Sequence, residues 1–393
     1  MSRTVYLHVG LPKSGTSYLQ RLLSANKERL EQEAALLFPG KAWNEQVLAV
    51  KDVRGIRDGR PRRFVDGAWD RLVAEIHGWP GDAIVSMEWL CAASDPQISR
   101  ILESLAPSDV QVLFTARDLG RTLPAAWQEF MQNQHTWSWD EFLSAVATED
   151  RHDTAPGRTF WAQQDLPVLV ARWSAHVGTD RTHVITLPQP GAPRDVLWRR
   201  LASVLEVDPA GYVTEDLGGN ESLGLESAEL MRRVNRALRE TGAGRRSYNR
   251  VFKHQLAKQV LSRRRGQESV LTVPESYRDW IDATAGRQVD AIAAAGVHVV
   301  GDLDELRPTH GATALQPSEL PDGALLDAAV AGLVGLGTIR DSSRPTGPGE
   351  GQPPAPRRAP GGATPSRRQA AMAKARRLAG RALRRVRARR AQS

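Results

Sequence analysis

Cysteine is almost absent from this chain of 393 residues, which has only Cys91. No intrachain disulfide can form, and neither a cysteine-based zinc site nor a redox pair is available. That composition suits a reducing compartment, so a cytoplasmic location is the expectation. Aromatic residues are few, 6% of the chain, and long hydrophobic runs are scarce. The most apolar stretch, residues 323–339, is interrupted by Asp327 and dominated by Ala and Gly. It falls short of a membrane span as a pattern, so no transmembrane segment is expected. Residues 1–9 lack a basic region, a long apolar stretch and a small-residue cleavage site. They read as the first strand of a fold and not as a signal peptide.

What is present is the balance of a folded protein, with 41% apolar and 25% charged residues. The net charge of +8 is unevenly spread, because residues 341–393 hold 14 of the 53 Lys+Arg and only 2 of the 45 Asp+Glu. The remainder is slightly acidic, so any non-specific attraction to polyanions belongs to the tail. Residues 342–366 are rich in Pro, Gly, Ser and Arg with no apolar face to bury, which predicts a disordered linker. Residues 370–391 carry enough Ala, Leu and Arg to become a basic helix on an anionic surface. The expected organisation is an α/β domain over 1–306, a weakly patterned extension over 307–341 and a basic tail over 342–393.

Residues 3–9 alternate β-branched, aromatic and apolar side chains and run into Gly10, which reads as a strand entering a glycine turn. From Thr16 onward, Tyr18, Leu19, Leu22 and Leu23 recur at helical spacing. Short apolar runs at 83–87, 110–116, 182–187 and 297–300 fit buried parallel strands. Helical periodicity fills the intervals at 69–76, 98–105, 123–131, 160–176 and 197–205. Further helical material occupies 220–261, interrupted at 242–246, and 274–295. The alternation predicts an α/β fold of three layers, a mostly parallel central sheet with helices on both faces.

The junction itself reads Gly10, Leu11, Pro12, Lys13, Ser14, Gly15, Thr16, Ser17. Glycines let backbone approach an oxyanion, and the free N–H groups of a first helical turn attract it. In the phosphate loop of nucleotide triphosphatases a lysine directly follows the second glycine. Here that place is Thr16 and the lysine is Lys13. With this displacement the segment resembles the 5′-phosphosulfate loop of sulfotransferases that use 3′-phosphoadenosine 5′-phosphosulfate (PAPS), whose usual form is Pro-Lys-Ser/Thr-Gly-Thr-Thr. Ser17 keeps the hydroxyl of the last threonine, and Tyr18 keeps an aromatic where many members have tryptophan.

The resemblance implies a P-loop-like fold with PAPS as co-substrate and no metal. It places Lys13 at the bridging oxygen of the phosphosulfate, with Ser14, Gly15, Thr16, Ser17 and Tyr18 forming the rest of the donor loop. Arg117, at the end of the strand 110–116, matches the family's arginine for the 3′-phosphate. The family's serine eight residues later is Ala125 here, and Arg121 or Thr122 is the compensating donor to look for. The runs 117–119 and 124–129, Asn220 with Ser222, Leu223 and Gly224, and Gly301, Asp302 and Leu303 are similar to bacterial members of the family.

Sulfuryl transfer to a hydroxyl needs a proton acceptor. Glu88 follows the apolar run 83–87, at a carboxyl end where ligands bind in open α/β sheets. It is ranked above His8, His77 and His135, of which His8 reads as a core histidine. The basic stretch Arg245, Arg246, Tyr248, Arg250, Lys253 is a candidate cover for the donor and equally a solvated face. Trp127, Trp161, Trp173 and Trp198 read as core, and Trp89 as a wall for a small-molecule or carbohydrate acceptor. Two other readings stay open: a P-loop kinase of small molecules, and a non-catalytic polyanion- or membrane-binding protein acting through its tail.

Overall fold

The computed structural model describes residues 3–57, 62–215, 217, 222–242, 245–312 and 314–342. Asn220 and residues 343–393 lie outside the described residues, as do the side chains of Arg245 and Arg246. Six strands, β1 (Thr4–Gly10), β2 (Leu36–Leu37), β3 (Asp82–Ser86), β4 (Asp109–Ala116), β5 (Thr182–Thr186) and β6 (His298–Val300), form one sheet. Their order is β2-β3-β1-β4-β5-β6. Every neighbouring pair is parallel.

The helices are α1 (Thr16–Ala25), α2 (Lys27–Glu33), α3 (Trp43–Val53), α4 (Ala68–Gly78), α5 (Asp95–Leu105), α6 (Leu119–Gln132) and α7 (Trp139–Ala147). They continue with α8 (Ala155–Gln164), α9 (Leu166–Val177), α10 (Val196–Val204), α11 (Leu225–Thr241), α12 (Arg245–Tyr248), α13 (Arg278–Ala294) and α14 (Asp322–Ser342). A π-helical segment, Asn249–Val260, follows α12 directly.

Period-two patterning separates the two faces of the sheet. Val5, Leu7 and Val9 of β1 and Val112, Phe114 and Ala116 of β4 join one core with residues of α3, α4, α5, α9 and α13. Tyr6, Ile84, Leu113 and Ile185, each one register position away, join a second core with α1, α2 and α10. This is the expected three-layer α/β architecture. A third core gathers α6, α7, α8 and α11 with Leu256, Leu261 and Leu325. Trp127, Trp161, Trp173 and Trp198 are all buried, as their spacing predicts.

Two stretches carry detail that their patterns do not show. The pattern over 160–176 is two helices, because Pro167 lacks the N–H that would continue α8 and starts α9 instead. The apolar stretch 323–339 lies within one helix, and Asp322–Ile339 is long and apolar enough to cross a membrane by length and composition. Asp327 interrupts the pattern without breaking the helix. Toward the body, α14 buries Leu325 and Ala328 and runs close to the 249–260 segment at Gly332 and Gly335.

The chain leaves β1 toward β2 and β3 on one side of it and later returns to place β4 on the other. Reversal of strand order at the carboxyl end of β1 opens a crevice there, the usual ligand position in such sheets.

Candidate active site

At the end of β1 the backbone turns in a way that glycine permits. Gly10 has φ +108°, and a Cβ there would lie 2.9 Å from Glu88 Cβ. The same absence of a side chain therefore forms the turn and lets Glu88 cross the strand end. Lys13 sits in the left-handed region at φ 67°. Its carbonyl accepts from Arg117 Nη1 at 3.2 Å, and that of Pro12 accepts from Gln164 Nε2 at 2.9 Å. Gly15, at φ +87°, precedes α1, and a Cβ on it would meet Leu197 Cδ2 at 2.5 Å. The helix is fixed from behind by Leu19, Leu22 and Leu23, fully buried, each contributing about 2 kcal/mol. The first N–H groups of α1 have no intrahelical acceptor and carry the positive end of its dipole.

Ser14 departs from the expected role. It is buried beneath the loop, donating its hydroxyl proton to Leu11 O and lying 2.7 Å from Thr115 Oγ1. Thr115 Oγ1 is 3.1 Å from His8 Nε2, and His8 Nδ1 is 2.7 Å from Ser86 Oγ. This buried relay ties the loop to β1, β3 and β4, so Ser14 shapes the loop from below. Burial holds the His8 imidazole down at about 4. His8 is thus a satisfied, neutral core histidine.

Above the loop lies a cleft of about 910 Å³ whose lining includes Lys13, Gly15, Thr16, Ser17, Tyr18, Glu88 and Arg117. Residues that follow the carboxyl ends of β1, β3 and β4 thus converge. Arg121 is not among the lining residues. Its Nε pairs with Asp118 and its Nη1 donates to Pro188 O at 3.0 Å, which ties α6 to the segment after β5. Ala125 lines the cleft, but Thr122 does not, so neither compensating donor reaches that wall.

Charge is concentrated in this cleft. Lys13, Arg21, Lys51, Arg54, Arg117, Lys253 and Lys258 line it against Glu88 and Glu129. Such a surplus in a slightly acidic body selects for an anionic ligand. Arg117 is largely desolvated, which together with neighbouring Arg121 lowers its guanidinium to about 10, still charged at neutral pH. Its Nε is buried with no hydrogen-bond partner.

The residue that sequence reasoning missed is Glu129. Its Oε2 is 2.6 Å from Lys13 Nζ. Burial raises its carboxyl, but the ammonium of Lys13, followed by Lys253 and Lys258, outweighs that and holds it below the usual range. Glu129 stands one helical turn beyond Ala125, and that spacing was the signal available. Glu88 moves the other way, because burial dominates and raises its carboxyl against the hydrogen bond from Gln20 Nε2 at 2.8 Å.

No family model matches the chain, and no curated protein does. Among solved structures it is similar to a sulfotransferase from Alicyclobacillus acidocaldarius, with 18% identity over 63% of this chain and 100% of that one, at a TM-score of 0.37.

The remaining candidates divide between wall and scaffold. Trp89 and Trp43 line the cleft, with Lys51 Nζ 5.2 Å from the centre of the Trp89 ring. His135 lines it too, stacked on Trp137 at 4.2 Å, and burial lowers its imidazole to about 4. His77 contacts Ser104 O instead. Lys253 and His254, on the 249–260 segment, reach the cleft, whereas Tyr248 is buried against Met131 O and Asn235. Ser222 lines the cleft and accepts from Arg265. Gly301 is structural, since a Cβ there would sit 2.1 Å from Thr186 Oγ1. A neighbouring cavity of about 560 Å³ runs from Gly15 and Tyr18 to Leu187, Gln189 and Pro193. Tyr18 Oη and Gln189 Oε1 are both buried without a partner.

Proposed function

We propose that the chain is a sulfotransferase that moves a sulfuryl group from PAPS to an acceptor hydroxyl or amine. The observation that carries this reading is the convergence of Lys13, the α1 N-terminus, Arg117 and Glu88 on one cation-rich cleft. The residues suit such a donor: loop N–H groups for the 5′-phosphate, the unpartnered Arg117 Nε for the 3′-phosphate. The neighbouring cavity, with the orphan oxygens of Tyr18 and Gln189, would take the adenine edge.

The donor supplies an activated sulfur–oxygen bond. Glu88 accepts the proton of the acceptor as its oxygen or nitrogen bonds to sulfur. Lys13 meets the electron pair left on the 5′-phosphate oxygen when the sulfur–oxygen bond breaks, stabilising charge that grows in the transition state. Arg117 holds a group that does not change, so it contributes binding and not rate.

Thermal stabilisation of the full chain by 3′-phosphoadenosine 5′-phosphate, compared with ATP plus magnesium, tests the reading. Ligand at about 100 times its Kd should add about 2.7 kcal/mol. The adenosine bisphosphate should give the larger shift, and Arg117→Ala should reduce it. A larger shift with ATP and magnesium would favour the kinase alternative and overturn this one.

A further inference from the structure

Helix α14 keeps small residues where it meets the body and exposes large apolar ones. Besides Leu325 and Leu336, its inner side is Ala328, Gly332 and Gly335. A Cβ on Gly335 would lie 2.4 Å from Val260 Cγ1, and one on Gly332 2.9 Å from Leu256 Cδ1. The helix therefore runs close against the 249–260 segment, and glycine is what permits it. On the outer side Leu326, Val330, Leu333 and Val334 are 63%, 51%, 72% and 62% exposed. The spacing i, i+4, i+7, i+8 aligns them in one stripe. Of the ten large apolar side chains exposed among the described residues, four stand on this one helix and the others are scattered.

Charge identifies the occupant. Asp327 is exposed beside the stripe near the start of the helix. From the other end the chain continues into residues 343–393, which carry 14 Lys+Arg and a single acid, Glu350. Every copy of the chain carries such a polycation, which opposes self-association. An anionic lipid surface suits the apolar stripe together with the basic tail, whose charge outweighs that of Asp327, since stable surface binding combines an apolar insertion with a polybasic segment. We propose that α14 lies in the interfacial layer of an anionic bilayer, with Leu326, Val330, Leu333 and Val334 toward the acyl chains and 343–393 attracted to the headgroups. The inner side of α14 stays on the body, so the helix does not span.

Co-sedimentation of the full chain with vesicles of phosphatidylcholine, with and without phosphatidylglycerol, tests this at low and at physiological salt. Binding should need the anionic lipid. The double variant Leu333→Ser, Val334→Ser should bind about tenfold more weakly at physiological salt, where the electrostatic part is screened. Leu326→Ser, at the other end of the stripe, should act in the same direction and serves as the check if the double variant melts early. Replacing the nine Lys and Arg of 374–390 by Gln in the full chain should weaken binding most at low salt. Absence of binding to anionic vesicles would overturn the proposal, as would binding that the stripe variants leave unchanged. So would a lipid-free dimer, seen by sedimentation velocity, that Leu333→Ser with Val334→Ser abolishes.

Discussion

The ion pair between Lys13 and Glu129 sets a competition that binding measurements can read. Under the proposed reaction the ammonium has to turn from Glu129 Oε2, 2.6 Å away, to the phosphosulfate. Glu129 also presents a negative charge to an anionic donor, so both effects oppose binding. The pair is partly solvated, with side chains 22% and 44% exposed, so its strength belongs near the upper end for surface pairs, about 1 kcal/mol. Glu129→Gln keeps the shape and removes the charge. Affinity for 3′-phosphoadenosine 5′-phosphate should therefore rise about fivefold, by the relation of about 1.4 kcal/mol to tenfold. Titration calorimetry would measure it, with Glu103→Gln, an exposed acid on α5, as the control for net charge. Unchanged or weaker affinity in Glu129→Gln would show that Glu129 and the donor do not compete for Lys13.

Three further outcomes follow from named contacts. Gln20→Leu removes the hydrogen bond that lowers the Glu88 carboxyl, so the acidic limb of the kcat/KM profile should move to higher pH; a stationary limb would separate Glu88 from the chemistry. Gly10→Ala adds a Cβ 2.9 Å from Glu88 Cβ at φ +108°, and should cost about 1–3 kcal/mol in urea denaturation; a neutral effect would mean that the strand end relaxes freely. His8 takes up a proton only near pH 4 when folded and near 6.5 when unfolded, so the unfolded chain binds more protons between those values. Stability from this group is complete above 6.5 and falls by about 3 kcal/mol as pH drops to 4, and His8→Gln should flatten that slope.

The legible part of the molecule is what local spacing encodes. The strand, loop and helix from Thr4 to Ala25 were readable because glycines, hydroxyls and helical leucines occur in immediate succession. The parallel sheet was readable from apolar runs separated by helical periods. The two-residue strand β2 is too short for any period to register, and α8 and α9 share one apolar pattern that only Pro167 divides. Within the site, residue type misled where burial decides. Ser14 has the hydroxyl expected of a phosphate contact, yet its partner is Thr115 on β4. Arg121 has the charge, yet Asp118 and Pro188 hold it. Glu129 could not be paired with Lys13 from the sequence, because their contact depends on where β4 hands the chain to α6.

That contact also separates the two acids of the cleft. Glu129, tied to an ammonium, would lose its ion pair by accepting a proton, and its carboxyl lies below the usual range. Glu88 accepts from the amide of Gln20, and for it desolvation dominates, so taking up a proton relieves a buried charge. Paired acids whose surroundings push them in opposite directions take different roles. The acid raised by burial is the better proton acceptor, and the acid held low keeps a cation in place. Under the proposed transfer Glu88 is therefore the base, while Glu129 is the counter-ion that the donor displaces from Lys13. The two assignments stand together, because reversing them would ask the ion-paired carboxylate to give up its charge when the neighbouring ammonium most opposes it.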